Sequence, residues 1–168
     1  MFLGITITHN AKTTASMGKL LVAVDGSEES KRAVNLAFDL ARKFSSKVYV
    51  LHVIDSRAAN DLSMPELNLF SKPGEEFSMS REENEFVDKV CEQLLDPAEE
   101  SLAGAGIDVE TICASGHPAD QILDAAKKYN VDAIIMGNRG RGMFSKAMMG
   151  SVSSKVCNHA ETTCITVK

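Results

Sequence analysis

The chain has 168 residues, 44% apolar and 24% charged, with a formal net charge of −5. That length suits one domain with a core of useful size, and the composition excludes a disordered chain. The acidic balance argues against a sequence-independent nucleic-acid binder, which needs a basic surface, and no apolar run reaches the ~20 residues that span a bilayer.

Met1 to Ser16 lacks the basic start and apolar centre of a signal peptide, so a cytoplasmic protein without membrane insertion is expected. Residues 1–18 read as an N-terminal extension outside a domain covering 19–168. Lys19–Asp25 is a nearly continuous apolar run, the pattern of a strand buried on both faces of a parallel sheet. From Glu28 to Phe44, the residues Val34, Ala37, Phe38, Ala41 and Phe44 share one helical face, and Glu28 and Glu29 sit in the first turn, where the helix dipole favours acids. Lys47–Val53 is a second, valine-rich strand.

The stretch from Ile54 to Met79 contains Pro65, Pro73 and Gly74 and has no sustained period; a loop this long in a compact domain is functional or mobile. Ser80 and Glu83 then form a capping box for a long helix with Phe86, Val90, Leu94 and Leu102 on its apolar face. Pro97 is expected to kink or interrupt that helix. Ile107–Cys113 is a third strand, His117-Pro118 opens a helix to about Tyr129, and Val131–Met136 is a fourth strand. A glycine-rich loop follows. Gly150-Ser151 opens a short helix, and Thr162–Val167 is the last strand. Strands alternating with helices imply an α/β fold: a single doubly wound, five-stranded parallel sheet with helices on both faces, Rossmann-like in character.

The cysteines, Cys91, Cys113, Cys157 and Cys164, form no C-x-x-C pair, and the histidines have no metal-binding spacing. Buried thiols, a satisfied buried His52 and no metal site are therefore expected.

In an open α/β sheet, ligands bind beyond the carboxyl ends of the strands where strand order reverses. Three segments occupy such places: Asp25-Gly26-Ser27, Val53-Ile54-Asp55 and Gly137-Asn138-Arg139-Gly140-Arg141-Gly142. Three glycines in the last segment permit positive φ and close approach to the main chain, and successive amides there can form an anion nest. Gly150-Ser151 adds a helix N-terminus, which favours phosphate, and the hydroxyls of Ser151 and Ser153 add donors. From Gly137 to His159 the charged residues are Arg139, Arg141, Lys146 and Lys155, with no acid among them. A cationic island in an acidic chain suggests a bound anion; an ordinary surface loop with a helix cap remains the alternative. Walker A is excluded because Met143 and Phe144 follow Gly142, and so is G-x-G-x-x-G.

The spacing Gly137-x2-Gly140-x9-Gly150-Ser151 resembles the ATP-binding signature of the universal stress protein family, G-2x-G-9x-G-[S/T]. Val24-Asp25-Gly26-Ser27, Leu51-His52-Val53-Ile54-Asp55 and Gly116-His117-Pro118 align with other landmarks, so the resemblance covers Lys19 to Val167. It implies an ATP-binding stress-response regulator in which the nucleotide modulates dimer or partner contacts, with at most weak hydrolysis. Carried over by residue, Ala23 and Asp25 would line the adenosine pocket and Val53 would meet adenine through its backbone. Met136 would pack on the nucleoside, and Gly137, Asn138 and Gly140 would hold ribose and phosphates. Gly150, Ser151, Val152 and Ser153 would bind the phosphate tail. Asp25 is also the candidate partner for Mg²⁺.

Other roles stay open: Asp25 as a helix cap, and Val53 and Met136 as plain core. The resemblance further implies a homodimer through the last strand, although Thr162-Thr163-Cys164-Ile165-Thr166-Val167 is more polar there than the family's Cys-Pro-Val-Leu-Val-Val. Two other functions compete: a nucleotide-free interaction module on the same fold, and an adenylating enzyme of the adenine-nucleotide α-hydrolase group. The second lacks its Ser-Gly-Gly-x-Asp-Ser loop, since Asp25-Gly26-Ser27-Glu28-Glu29-Ser30 stands in that place.

Overall fold

A computed structural model describes residues 5–8, 17–55, 81–140 and 149–168. The elements in chain order are β1 (Ile5–Thr8), β2 (Lys19–Val24), α1 (Glu28–Phe44), β3 (Lys47–Asp55), α2 (Arg81–Ala103), β4 (Val109–Gly116), α3 (Pro118–Tyr129), β5 (Ala133–Gly137), α4 (Ser151–His159) and β6 (Thr163–Val167). The loop from 56 to 79 and the Ser80 cap fall outside the described residues.

The sheet order is β1-β6-β5-β2-β3-β4. The expected five strands, β2 to β6, are all present and mutually parallel. Residues 5–8, assigned from sequence to an extension outside the core, instead add a sixth strand, antiparallel to β6. From β2 the chain builds outward through β3 and β4, then returns to lay β5 and β6 on the other side. Strand order thus reverses between β2 and β5, whose carboxyl ends carry Asp25-Gly26-Ser27 and the glycine turn.

The central strands carry continuous apolar runs because both faces are covered. Leu20, Val22, Val48, Val50 and Ile135 pack with Ala33, Val34, Ala37 and Ala41 of α1 and with Cys91, Leu95, Ala98 and Leu102 of α2. On the opposite face, Leu21, Leu51, Ile134 and Met136 pack with Ala119, Ile122, Ala125 and Ala126 of α3 and with Val156 of α4. Burying each such leucine or isoleucine stabilises the fold by roughly 1.5–3 kcal/mol before chain entropy is counted.

Two helix faces differ from expectation. Phe44 is exposed at the end of α1. The buried stripe of α2 is Cys91, Leu95, Ala98 and Leu102, spaced four, three and four residues apart, which leaves Leu94 only half-buried. The side chains of Phe86 and Val90 are outside the described set. Nor does Pro97 interrupt this helix, which runs unbroken from Arg81 to Ala103. Proline removes one N–H, normally given to the carbonyl four residues back. Here that residue, Gln93, is exposed, so water can serve the carbonyl.

The four cysteines do not all remain thiols. Cys91 of α2 and Cys113 of β4 form a disulfide across a Cα–Cα distance of 6.0 Å. Cys157 and Cys164 are outside any disulfide; the neighbouring Cys157 thiol and burial push the Cys164 thiol above its ordinary range. His52 is buried and its Nδ1 lies 2.8 Å from the Val24 carbonyl, the satisfied core histidine expected. Among the described residues no helix is long and apolar enough to cross a membrane.

Candidate nucleotide site at the carboxyl end of the sheet

The turn after β2 is held by side chains. Gly26 adopts φ of 78°, a backbone conformation that favours glycine. Asp25 Oδ1 accepts from the Ser27 amide at 3.0 Å and from the Ser27 hydroxyl at 2.6 Å. Ser27 is the N-cap of α1, and its Oγ accepts from the Ser30 amide at 3.1 Å. The helix-cap role left open for Asp25 therefore belongs to Ser27, with Asp25 holding the cap. Its second oxygen, Oδ2, is free to face Gly140: a Cβ built on Gly140 would lie 2.7 Å from it.

The turn after β5 is held by the main chain. The Asn138 amide donates to the Val167 carbonyl, and the Gly150 amide donates to the Asn138 carbonyl, both at 2.8 Å. Ser153, buried in the first turn of α4, donates its hydroxyl toward the Asn138 carbonyl at 2.8 Å and the Gly150 carbonyl at 3.0 Å. Its proton is thus directed into the turn. These bonds bring Gly137–Gly140 and Gly150 together despite nine intervening residues, of which 141–148 lie outside the described set.

The glycines here serve approach rather than unusual φ. None of Gly137, Gly140 and Gly150 has positive φ. A Cβ on Gly137 would come within 2.7 Å of Glu29 Cβ in α1, so that glycine sets the helix close against the strand end. On Gly150 a Cβ would meet Ser153 Oγ at 3.3 Å and the Asn138 carbonyl at 3.4 Å. It points into the turn.

The cationic island is partly neutralised. Glu29 Oε1 lies 3.3 Å from Arg32 Nη2 and 3.7 Å from Arg139 Nη2, and Lys155 Nζ lies 2.6 Å from Asp120 Oδ1. His117, the N-cap of α3, makes no side-chain cap bond and places Nδ1 3.4 Å from Asp120 Oδ2. Arg141 and Lys146 are outside the described residues. Two of the four expected cations thus face carboxylates from α1 and α3. Glu29 and Asp120 escaped the sequence reading because only the packing brings them to the loop.

What remains open to an anion is backbone. The N-cap of α4, Gly150, has no side chain to accept from the first-turn amides, and that turn contains no acid. Ser151 is exposed there, with Val152 half-buried beside it. Buried Asn138 leaves its Oδ1 without a hydrogen-bond partner, a costly state for a buried acceptor. Next to this polar rim lies an apolar floor. Ala23, Val53 and Val152 pack against the same cluster as buried Met136, and Ala23 pairs with Met136 in register. The eleven residues expected to form the site therefore gather at one end of the sheet. Among the described residues no group of three His, Cys, Asp or Glu could hold a metal ion. A separate cavity of about 390 Å³ lies at the opposite, amino end of β5 and β6, lined by Lys127, Val131, Asp132 and His159 among others, and contains none of the eleven.

A parallel sheet whose strand order reverses between β2 and β5, with helices on both faces, defines a doubly wound α/β protein. The sequence model of the universal stress protein family matches residues 17–168, and the chain belongs to that family. It is 36% identical over 138 residues to the universal stress protein YxiE of Bacillus subtilis, covering 82% of this chain and 90% of YxiE. It is 27% identical over 150 residues to the universal stress protein MJ0531 of Methanocaldococcus jannaschii, covering 89% of this chain and 81% of the relative. Among solved structures it resembles the hypothetical protein MJ0577, with a TM-score of 0.71, 25% identity and coverage of 92% and 97%. The universal stress protein from Archaeoglobus fulgidus in complex with dAMP has the same fold, with a TM-score of 0.58, 20% identity and coverage of 92% and 100%.

Proposed function

We propose that this chain is an ATP-binding stress-response regulator in which the bound nucleotide biases contacts with a second copy or another protein. One observation carries the reading. Beside the switch point, the first turn of α4 has neither a capping side chain nor an acid, and the orphaned Oδ1 of Asn138 lies in the turn that docks against it. Unsatisfied amides and a positive dipole end suit phosphate, and a buried unpaired carbonyl suits a hydroxyl donor such as ribose supplies. The fold neighbour bound to dAMP, and a second universal stress protein structure bound to cAMP, support an adenine nucleotide.

In this reading Ala23, Val53, Met136 and Val152 seat the adenosine. Asp25, Asn138, Gly137 and Gly140 flank the ribose and first phosphates, and the amides of Ser151 and Val152 take the phosphate tail, with Gly150 placing them because its own amide donates to the Asn138 carbonyl. Ser153 holds the turn rather than the ligand. Asp25 Oδ2 is the side-chain oxygen available to Mg²⁺ carried in by the triphosphate; one carboxylate makes a weak site without it. A ligand shifts a protein's contacts only by binding two states unequally. The nucleotide would therefore act by tightening the Asp25 and Gly140 turns against one another.

Calorimetric titration of the purified chain with ATP, ADP and cAMP tests this, with mass spectrometry for carried-over nucleotide. Binding by ATP tighter than by adenosine supports the reading. No heat up to millimolar nucleotide contradicts it and leaves the protein an interaction module on this fold.

A further inference from the structure

The edges of the sheet are finished differently. β4, one outer strand, is half-buried or exposed along its whole length. By contrast, every residue of β6 is buried, because β1 lies alongside it. The register pairs Ile5 with Val167, Thr6 with Thr166, Ile7 with Ile165 and Thr8 with Cys164.

That register has a specific meaning. If β6 of a second copy paired antiparallel with β6 about a two-fold axis at Ile165, then Ile165 would face Ile165, Thr166 would face Cys164 and Thr163 would face Val167. In the observed pairing Ile7 occupies the place of the second Ile165, and Thr8 that of the second Thr166. The segment Ile5-Thr6-Ile7-Thr8 therefore occupies, in the same direction and on the same partners, the places that Thr163-Cys164-Ile165-Thr166 of a second copy would take, with Ile7 and Thr8 identical to Ile165 and Thr166 and with Ile5 and Thr6 in place of Thr163 and Cys164.

We propose that Ile5–Thr8 is an intrachain substitute for the β6 strand of a second copy, closing the edge through which two chains would pair. The full chain is then monomeric, and release of this segment makes it a dimer. The inference rests on the dimer contact in the function proposed above and adds what controls it. Ten residues, 9–18, join β1 to β2, and β2 lies three strand spacings away, about 14 Å. Ten residues reach up to roughly 35 Å, so the tether spans the gap easily. A short tether holds its strand at an effective concentration in the millimolar range. A second copy at micromolar concentration therefore loses to it by about a thousandfold, unless its dimer makes contacts that β1 does not. The family match covers residues 17–168, so the strand lies outside the matched segment.

The test uses the full chain carrying Thr6→Pro and Ile7→Pro together. Consecutive prolines remove donors from both phases of the ladder and leave the domain untouched; the chain 17–168 is the second variant. Sedimentation at about 10 μM, far below the tether's effective concentration, reads the mass, and hydrogen exchange reads the amides of residues 163–167. The expected result is a wild-type monomer with protected β6 amides, and a twofold mass in both variants with protection retained by the new pairing. Dimers in all three with β6 protected would overturn the cap while sparing the dimer reading. Monomers in both variants would overturn the cap and the β6 dimer together. A wild-type dimer that the variants lose would mean that β1 is exchanged between copies, which also overturns the proposal.

Discussion

Two of the helices that begin at the carboxyl end of the sheet, α1 and α4, finish their first turns in opposite ways. α1 is closed upon itself: Ser27 caps it, Asp25 holds Ser27, and Glu28 and Glu29 complement the dipole. α4 begins at Gly150 with no side-chain cap and no acid in its first turn. Both starts meet the same physical demand, since the first amides of any helix lack internal partners. The chain meets the demand internally at α1 and leaves it to something outside at α4. Of these two starts, the one at α4 is therefore the one whose charge and open amides suit an anion.

Giving α4 the chemistry of α1 should break this contrast with the largest effect. Ser151→Glu places an acid on an exposed position of the first turn. It should leave stability unchanged or raise it by about 0.3–1 kcal/mol, while ATP affinity falls by roughly a hundredfold, since about 2.7 kcal/mol of phosphate contact is opposed by like charge. Paired calorimetry and urea melts would check both halves. A smaller loss is expected of Gly140→Val, which puts a branched side chain where a Cβ alone would sit 2.7 Å from Asp25 Oδ2. Because Ser27 pins the other carboxylate oxygen, Asp25 must be displaced, and affinity should drop about tenfold with little change in melting temperature.

Ser153→Ala separates holding the turn from holding the ligand. It should cost about 1 kcal/mol of stability, read from the urea midpoint, for the lost bond to the Asn138 carbonyl. A large loss of affinity in a fully stable variant would restore Ser153 as a ligand contact. Ser27→Ala should affect binding least. Losing the cap should destabilise the protein by about 1 kcal/mol, yet ATP affinity should stay within about threefold, because α1 is not the anion site.

Much of this arrangement is visible in the sequence because its signals are local. Continuous valine, leucine and isoleucine runs mark strands covered on both sides, and Gly137-x2-Gly140-x9-Gly150 marks a turn where main chain must come close. What stays hidden depends on contacts between distant segments. Glu29 and Asp120 match Arg139 and Lys155 only after α1 and α3 pack beside the loop. Gly137 reads as a ligand glycine, yet its hydrogen makes room for Glu29. Ser153 reads as a phosphate donor until burial turns its hydroxyl to Asn138. Cys91 and Cys113 carry no spacing motif, and a helix and a strand bring them together. The sixth strand was obscured for a related reason: four residues of Ile and Thr are too few to mark a strand until β6 offers them an edge.

The most direct test of the central claim follows backbone amide resonances while ATP is added to the full-length chain. The account predicts that the amides of Ser151 and Val152 shift furthest and saturate together, while those of Glu28, Glu29 and Ser30 at the start of α1 barely move. Shifts concentrated at α1, or at the cavity near Lys127 and His159, would contradict it.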